Sequence, residues 1–431
     1  MTRNTNCLRT KLFRIIKRLF AIYLPLEKTE RLKHMKVLIV NHFPLTGSGS
    51  GAYTTNIANS LVKLGHEVCA VYPDNAPESS DWLFKTHPVY FKSETHSLIK
   101  PEVNFNFPCF TTHPRSTMTF DNMTDGQFSD YMNALKAAIA SEVENFKPDI
   151  IHCGHIWLLA NLATEFSIPV VITCHGTDLM GIKSCARFRK YALEAAEKCS
   201  AIVAISNGNL NELNKVLPQF KSKFHLIPNG FNSSVFYPEA CSTKSVLKMF
   251  EIEKPYSKII SFAGKFAHFK GIDVLLRANA LYARDDTATI LAGDGELFEE
   301  MSKLKTDLKL NDTYFIHNQP HDVLRKLYSA AEVSLVPSRN EPFGLVAIEA
   351  GACGAPVIAS ESGGLVDIVV PKTGMFFEQD NAEELAKCVS SVLNGEVSFN
   401  REEVATKTLE TFGQDAFTQR LIDEVYAKAM K

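Results

Sequence analysis

The sequence predicts an α/β chain built as two doubly wound domains, each a parallel sheet covered by helices on both faces. Three observations lead there. Short β-branched runs alternate with segments whose apolar residues recur every three and four positions, as strands and their covering helices do. The alternation stops once, at Ile227–Ser245 (IPNGFNSSVFYPEACSTKS), where Asn, Ser, Pro and Gly accumulate as in a linker, and then restarts. A length of 431 residues suits two domains better than one or four.

In the first half the strands are KVLIV (Lys36–Val40), EVCAVY (Glu67–Tyr72), DIIHC (Asp149–Cys153), PVVITC (Pro169–Cys174) and AIVAIS (Ala201–Ser206), with GAYTTNIANSLVKLG and YALEAAEKCS among the helical segments. In the second half they are KIISFAG, ATILAGDG, YFIH, EVSLVPS and APVIAS. No sequence repeat relates the halves, so their similarity is architectural. Residues 35–235 therefore read as an N-terminal domain and 236–410 as a C-terminal domain, with a cleft expected between them. Residues 411–431 supply a closing helix that can pack on either domain, the N-terminal one included. Asp81–Pro114, rich in aromatics and prolines, reads as a loop-rich wall.

Composition narrows the function. The chain carries 46 Lys+Arg against 48 Asp+Glu, so no overall field draws nucleic acid or a membrane. Its ten cysteines lack CxxC pairs, and Cys69, Cys153, Cys199 and Cys353 sit in apolar company, as reduced core thiols of a cytoplasmic protein do. No apolar run is long enough to span a bilayer, and LFRIIKRLFAIYLPL is no signal peptide because Arg14, Lys17 and Arg18 interrupt it.

What precedes Met35 is a basic leader, residues 1–34. Leu12, Ile15, Ile16, Leu19 and Tyr23 would form one apolar stripe of a helix, surrounded by Arg9, Lys11, Arg14, Lys17 and Arg18 and ended by Pro25. Such a helix can lie in an anionic membrane interface, which would make the protein peripheral at the inner face of the membrane. A disordered or protein-packed leader upstream of a start at Met35 is the other reading.

Ligands of doubly wound sheets bind beyond the carboxyl ends of the strands, where loops and helix N-termini converge. The stretch SRNEPFGLVAIEAGACGAPVIAS, Ser338–Ser360, falls at such a place: a strand, the loop RNEPF, and a helix from Gly344 to Cys353. Glu341 stands just ahead of that helix and Glu349 in its second turn. The amides of Phe343, Gly344 and Leu345 can receive an anion or a sugar hydroxyl, and Gly344 lets a ligand approach the backbone closely. The spacing alone is weak, since an exposed loop glutamate and a helix-surface glutamate would look the same.

Pro337–Ser338, the run EPFGL from Glu341, Glu349–Ala350, CGAPVIAS, GGLVDIV and TGMFF together resemble the nucleotide-sugar site of the retaining glycosyltransferases of family 4. These have the GT-B fold, two Rossmann-like domains facing each other across a cleft. The resemblance covers nearly all of the chain from Met35. It implies transfer of a sugar from a nucleotide-diphosphate donor to an acceptor hydroxyl with retention of configuration, in glycan, glycolipid or polysaccharide synthesis. The implied partners are that donor and a sugar, lipid-linked or small-molecule acceptor.

The resemblance also implies roles. Glu341 reaches the hydroxyls of the donor sugar and Glu349 holds the ribose, since a carboxylate accepts from two neighbouring hydroxyls. AGKFAHFKG brings Lys265 and Lys270 to a strand end, matching the family's basic pair on the donor phosphates. A departing diphosphate needs such cations, although two solvated lysines would read the same. Lysine stands at 265 where the family usually has arginine, keeping the charge without the bidentate fork.

Gly47, Gly49 and Gly51 follow the first strand, where the family places a loop beside the donor diphosphate and the acceptor; a plain tight turn is the alternative. His175 in VVITCHGTDLMG matches the family's HG.D element, near the donor sugar and the reacting oxygens, where imidazole can position hydroxyls or relay a proton. Asp178 of that element, and His152 and His155 of IHCGHIW, resemble acceptor-side residues. Gly293–Leu297 reads as a supporting glycine turn. HNQPH, His317–His321, falls where the family contacts the base but lacks its usual glycine.

No DxD-type carboxylates and no His/Cys cluster with ligand spacing are present, so neither a metal nor another cofactor is expected. With no nucleophilic carboxylate evident, front-face transfer is favoured, the leaving phosphate helping to deprotonate the acceptor. The alternatives are a sugar-nucleotide epimerase on the same architecture, which needs no acceptor, and a non-catalytic sugar-nucleotide-binding scaffold.

Overall fold

The computed structural model describes residues 34–77, 82–93, 100–110 and 113–431; the proposed leader helix lies outside them. Thirteen strands are found among the described residues: β1 (Lys36–Asn41), β2 (Glu67–Asp74), β3 (Lys85–Tyr90), β4 (Ile150–Gly154), β5 (Val170–Cys174), β6 (Ala201–Ala204) and β7 (Phe224–Leu226), then β8 (Lys258–Ala263), β9 (Thr287–Ala292), β10 (Thr313–Ile316), β11 (Val333–Val336), β12 (Val357–Ser360) and β13 (Gly374–Phe377). They form one sheet of order β3-β2-β1-β4-β5-β6-β7 and another of order β10-β9-β8-β11-β12-β13.

Both orders reverse once. The chain winds outward from β1 to β3, returns, and continues from β4 on the other side of β1; β8 and β11 repeat the manoeuvre in the second sheet. Strand β1 pairs in parallel with both β2 and β4, and β8 with both β9 and β11. The helices that follow the two strands at such a reversal lie on opposite faces of the sheet, and the crevice outside the strands' carboxyl ends is where doubly wound sheets take ligands.

Period-2 alternation builds the second core. Ile259 and Ala263 of β8, Ala288 and Ile290 of β9 and Val357 and Ala359 of β12 face one layer, with Ala347 and Ile348 of the helix Leu345–Ala352. Ile260 and Phe262, Leu291 and Ile358 face the other, against Leu275 and Leu276 of the helix Ile272–Tyr282 and Leu385 and Val389 of the helix Ala382–Leu393. A strand buried on both faces shows a continuous apolar run, which is why the central strands are legible in the sequence.

Three strands escaped the sequence reading, and all are edges. β3 (KTHPVY) lies in the segment expected to be loop, and an edge position tolerates its Pro88. β7 has three half-buried residues, and β13 was visible only as a motif. An edge strand meets a partner on one side only, so it need not carry the apolar run that identifies a central strand.

The chain condenses into two compact units. One comprises residues through Ile172 with Lys198–Ser200 and Ile422–Lys431; the other comprises Thr173–Glu197 with Ala201–Leu421. The expected closing helix is broken: an α-helix over Gln414–Leu421 passes into a π-helical turn, Ile422–Tyr426, before Ala427–Ala429. Within the first unit that turn buries Tyr426, whose hydroxyl lies 2.6 Å from His152 Nδ1 on β4. Cys69, Cys109, Cys153, Cys174, Cys185, Cys199 and Cys353 are buried. Among the described residues no helix is long and apolar enough to cross a membrane.

Because Tyr426→Phe removes only the hydroxyl facing His152, it is expected to lower stability by about 1 kcal/mol in urea unfolding, with an unchanged denaturant slope.

Candidate functional site

In the second unit the chain leaves β8, makes a 3-10 turn at His268–Lys270, and enters the helix Ile272–Tyr282 through Gly271. Gly271 adopts φ +65°, and a Cβ there would stand 2.0 Å from the carbonyl oxygen of Pro337. Only glycine satisfies both demands. The close approach sets the Lys270 turn against the loop that leaves β11, so the two loops of the reversal meet.

Where they meet, Lys270 Nζ lies 2.6 Å from Glu341 Oε2. The side chains are 15% and 10% exposed, too buried for this to be a solvated surface pair. Ser338 Oγ donates to the same carboxylate oxygen at 3.2 Å. The Glu341 loop is braced from below by the GGLVD segment: Gly364 N donates to the Glu341 carbonyl at 2.7 Å, and a Cβ on Gly363 would come within 2.1 Å of that oxygen.

Gly344, φ +109°, opens the helix Leu345–Ala352. No acceptor among the described residues takes the amides of Phe343, Gly344 or Leu345. The Phe343 side chain is not a ligand: it is buried in the core, edge-on to Phe412 with ring centroids 6.1 Å apart. Glu349 lies on this helix with no hydrogen-bond partner for its carboxylate among the described residues. Burial pushes its pKa from 4.5 up to about 7, and the nearby Lys270 charge opposes the rise.

Lys265 is more exposed and pairs with Glu296 at 3.0 Å. The loops after β8 and β9 interlock, since a Cβ on Gly293 would stand 1.9 Å from Gly264 O and one on Gly295 2.5 Å from Phe266 O. This gives the glycine turn a supporting role. His317 stacks on Phe298 at 5.0 Å and pairs through Nδ1 with Asp294 at 2.5 Å.

The HGTD element also falls in this unit. His175 is held near pKa 3 by burial, so its imidazole is neutral at ordinary pH. Gly176, φ +95°, packs against Pro342 of the Glu341 loop, where a Cβ would be 3.3 Å away. Asp178 is fully buried, and its Oδ1 accepts from Gly176 N at 2.9 Å and Leu179 N at 3.1 Å, an arrangement that shapes the loop. Gly176, Thr177, Lys183, Asn209, Glu212 and Glu341 line a cavity of 280 Å³.

The remaining candidates sit at the reversal of the first sheet. Ser48 caps the helix Gly49–Lys63 by accepting from Gly51 N at 3.0 Å. Gly51 approaches the carbonyls of Pro44 and Leu45, where a Cβ would come within 2.5 and 2.7 Å, whereas a Cβ on Gly49 would meet nothing within 4 Å. His155, buried, has φ +112°, a costly conformation for a side-chain-bearing residue, and lies edge-on to Phe43 at 5.1 Å. His152 is committed to Tyr426.

The profile of Glycosyl transferases group 1 matches residues 248–411, and that of Glycosyltransferase Family 4 matches residues 47–235. The chain belongs to the group 1 glycosyltransferases. Among similar proteins, the alpha-maltose-1-phosphate synthase of Mycolicibacterium smegmatis is 27% identical over 315 residues, covering 66% of this chain and 78% of that one. A glycogen synthase of Mycobacterium tuberculosis is 24% identical over 391 residues, covering 86% and 89%. Sucrose-phosphate synthase from Thermosynechococcus elongatus superposes with a TM-score of 0.69 at 20% identity, over 91% of this chain and 98% of that one. Anabaena HepE, crystallised with UDP and glucose, gives 0.69 at 17%, over 91% and 100%. At such identities these structures establish the GT-B fold.

Sequence reasoning missed one well-placed residue of this glycosyltransferase. Arg339 was passed over inside SRNEPFG, and its guanidinium joins Asp273, Asp380 and the His268 carbonyl around the Lys270 turn. Its partners are 41 to 71 residues away in sequence, so no local pattern reveals them. Among the described residues no group of three or more His, Cys, Asp or Glu is placed to hold a metal ion.

The Glu349 carboxyl gives a pH signature. Its folded pKa exceeds its unfolded one, so its contribution to stability is full below the unfolded value of 4.5 and is lost as pH rises through about 7. Glu349→Gln, which mimics the protonated form, is expected to match the parent at about pH 4.5 and to exceed it by roughly 1–3 kcal/mol at about pH 8 in urea unfolding.

Proposed function

We propose that this glycosyltransferase moves a hexosyl or related sugar from a nucleotide-diphosphate donor to an acceptor hydroxyl, with retention of configuration and without a metal ion. The observation that carries this reading is the Lys270–Glu341 pair at the reversal between β8 and β11, with Glu349 within range of the same lysine. An arriving diphosphate offers Lys270 a stronger anionic partner than one carboxylate. Glu341, released from the lysine, is then free to accept from the sugar hydroxyls, and Glu349 to hold the ribose. HepE, which shares the fold, was crystallised with UDP and glucose, in keeping with such a donor.

Lys265 and Lys270 place two positive charges beside the oxygens that become negative as the bond from the sugar's anomeric carbon to the phosphate oxygen breaks. The acceptor oxygen bonds to that carbon on the same face, and the departing phosphate takes the acceptor's proton. The amides of Phe343, Gly344 and Leu345 serve as further donors. His175, neutral, positions hydroxyls near the reacting centre. We assign donor binding to residues 236–410 and acceptor capture to residues 35–235, with Gly49, Gly51, His152, His155 and, of the HGTD element, Asp178 shaping the acceptor side. The product belongs to glycan, glycolipid or polysaccharide synthesis at the cytoplasmic face of a membrane, where the basic amphipathic leader, residues 1–34, supplies peripheral contact.

A thermal-shift screen of UDP-, GDP- and ADP-sugars tests the donor. A donor at a hundred times its dissociation constant is expected to add about 2.7 kcal/mol of stability, and no shift with any of them would sink the proposal. Lys270→Ala is expected to cost about tenfold or more in kcat/KM, the loss of a charge-assisted contact. Glu349→Ala should chiefly weaken nucleotide binding, and Glu341→Ala chiefly slow transfer. Parent-like rates in all three folded variants would refute these roles.

For the leader, salt-sensitive binding of the full chain to anionic vesicles is expected to vanish when residues 1–34 are deleted. Equal binding by both forms would rule the leader out as the anchor.

A further inference from the structure

We infer that Arg339 is a positioning residue for the donor diphosphate, acting through Lys270; the inference rests on the donor-site reading above. Arg339 follows Ser338 in the loop leaving β11, two residues before Glu341. Its own backbone N donates to the Phe269 carbonyl at 2.8 Å, and its Nη1 donates to the His268 carbonyl at 2.7 Å. Two of the three residues in the Lys270 turn are thus held by one residue of the Glu341 loop. The guanidinium also grips Asp273, in the first turn of the helix that follows, at 2.9 Å through Nη1 and 2.7 Å through Nη2. Nε donates to Asp380 Oδ1 at 2.6 Å.

This set of partners decides between two roles. A guanidinium that already faces two carboxylates and a carbonyl is neither free nor electrostatically suited to take a phosphate. Its positive charge is spent on Asp273 and Asp380, while Lys270, which among the described residues forms an ion pair with Glu341 alone, keeps a charge that a ligand can claim. What Arg339 does is fix geometry. The planar fork locks the turn's carbonyl, the helix start and the Asp380 loop in one arrangement, and the Gly271–Pro337 approach closes the same joint from the other side. A lysine at 339 could reach one of these partners but could not span them in that geometry.

On the full chain, calorimetric titration with UDP, GDP and ADP, and ligand-observed NMR with the matching nucleosides, reads the effect. Arg339→Ala and Arg339→Lys are expected to weaken the diphosphate that binds by about tenfold, comparable with Lys270→Ala, while nucleoside affinity changes by less than about twofold. In a Lys270→Ala background, adding Arg339→Ala is expected to cost less than about twofold more, because the positioned charge is already gone. A residue important only for general stability would lower both ligands together and add its loss in both backgrounds. Either of those results, or parent-like binding by the Arg339 variants, overturns the inference and leaves the donor site standing. A silent Lys270→Ala, or no binding by any of the three diphosphates, overturns the donor reading and the inference with it. Arg339→Lys, which keeps charge and bulk, carries the test if the alanine variant does not fold.

Discussion

The carboxyl end of the second sheet is organised around one buried ion pair. Taking Lys270 and Glu341 out of water costs several kcal/mol per ion, and the pair persists only because its geometry is held from outside. The Pro337 carbonyl fits against Gly271, the Ser338 hydroxyl shares the carboxylate oxygen, and Gly363 and Gly364 lie under the loop backbone. The supports come from two stretches of chain, Pro337–Ser338 and Gly363–Gly364. Had any of the close-approach glycines carried a side chain, the loops could not meet and both charges would relax into solvent.

The same pair explains the contrast between the two glutamates. Glu341 lies within direct reach of the ammonium. Glu349, a helix turn and more away, feels that charge only partly, and burial wins, lifting its pKa to about 7. Around neutral pH the Glu349 carboxyl is therefore shared between its protonated and ionised forms, while the Glu341 carboxyl lies within reach of Lys270 and Ser338. An ionised group suits contacts that need charge, whereas a protonated one can donate as well as accept. That difference follows from placement along a single helix and the loop before it.

Much of this was legible in the sequence. The ten strands read correctly are those with apolar runs, and the site loops announced themselves as the segments following β8 and β11. What stayed hidden is what depends on residues far apart. Arg339 looks like any loop arginine until the fold brings Asp273 and Asp380 to it. Asp178 stands out in the sequence only through its HGTD element, and nothing local announces that its oxygen takes the amides of its own loop. Phe343, singled out for its amide, carries a side chain that belongs to the core. The helical pattern of the last residues gave no hint of the π-helical turn at Ile422–Tyr426.

Lys270 and Glu341 are separated by 71 residues of chain. Closing a flexible loop of that length costs about 4 kcal/mol in lost chain entropy before any contact repays it, so the pair cannot exist in a local fragment. It requires β11 beside β8, with β9, β10 and their helices between them in sequence. A molecule that bridges both loops would act as a removable cross-link across this long closure. Its departure would leave this long-range contact unsecured, so a ligand held by both loops would slow the unfolding of this half of the molecule.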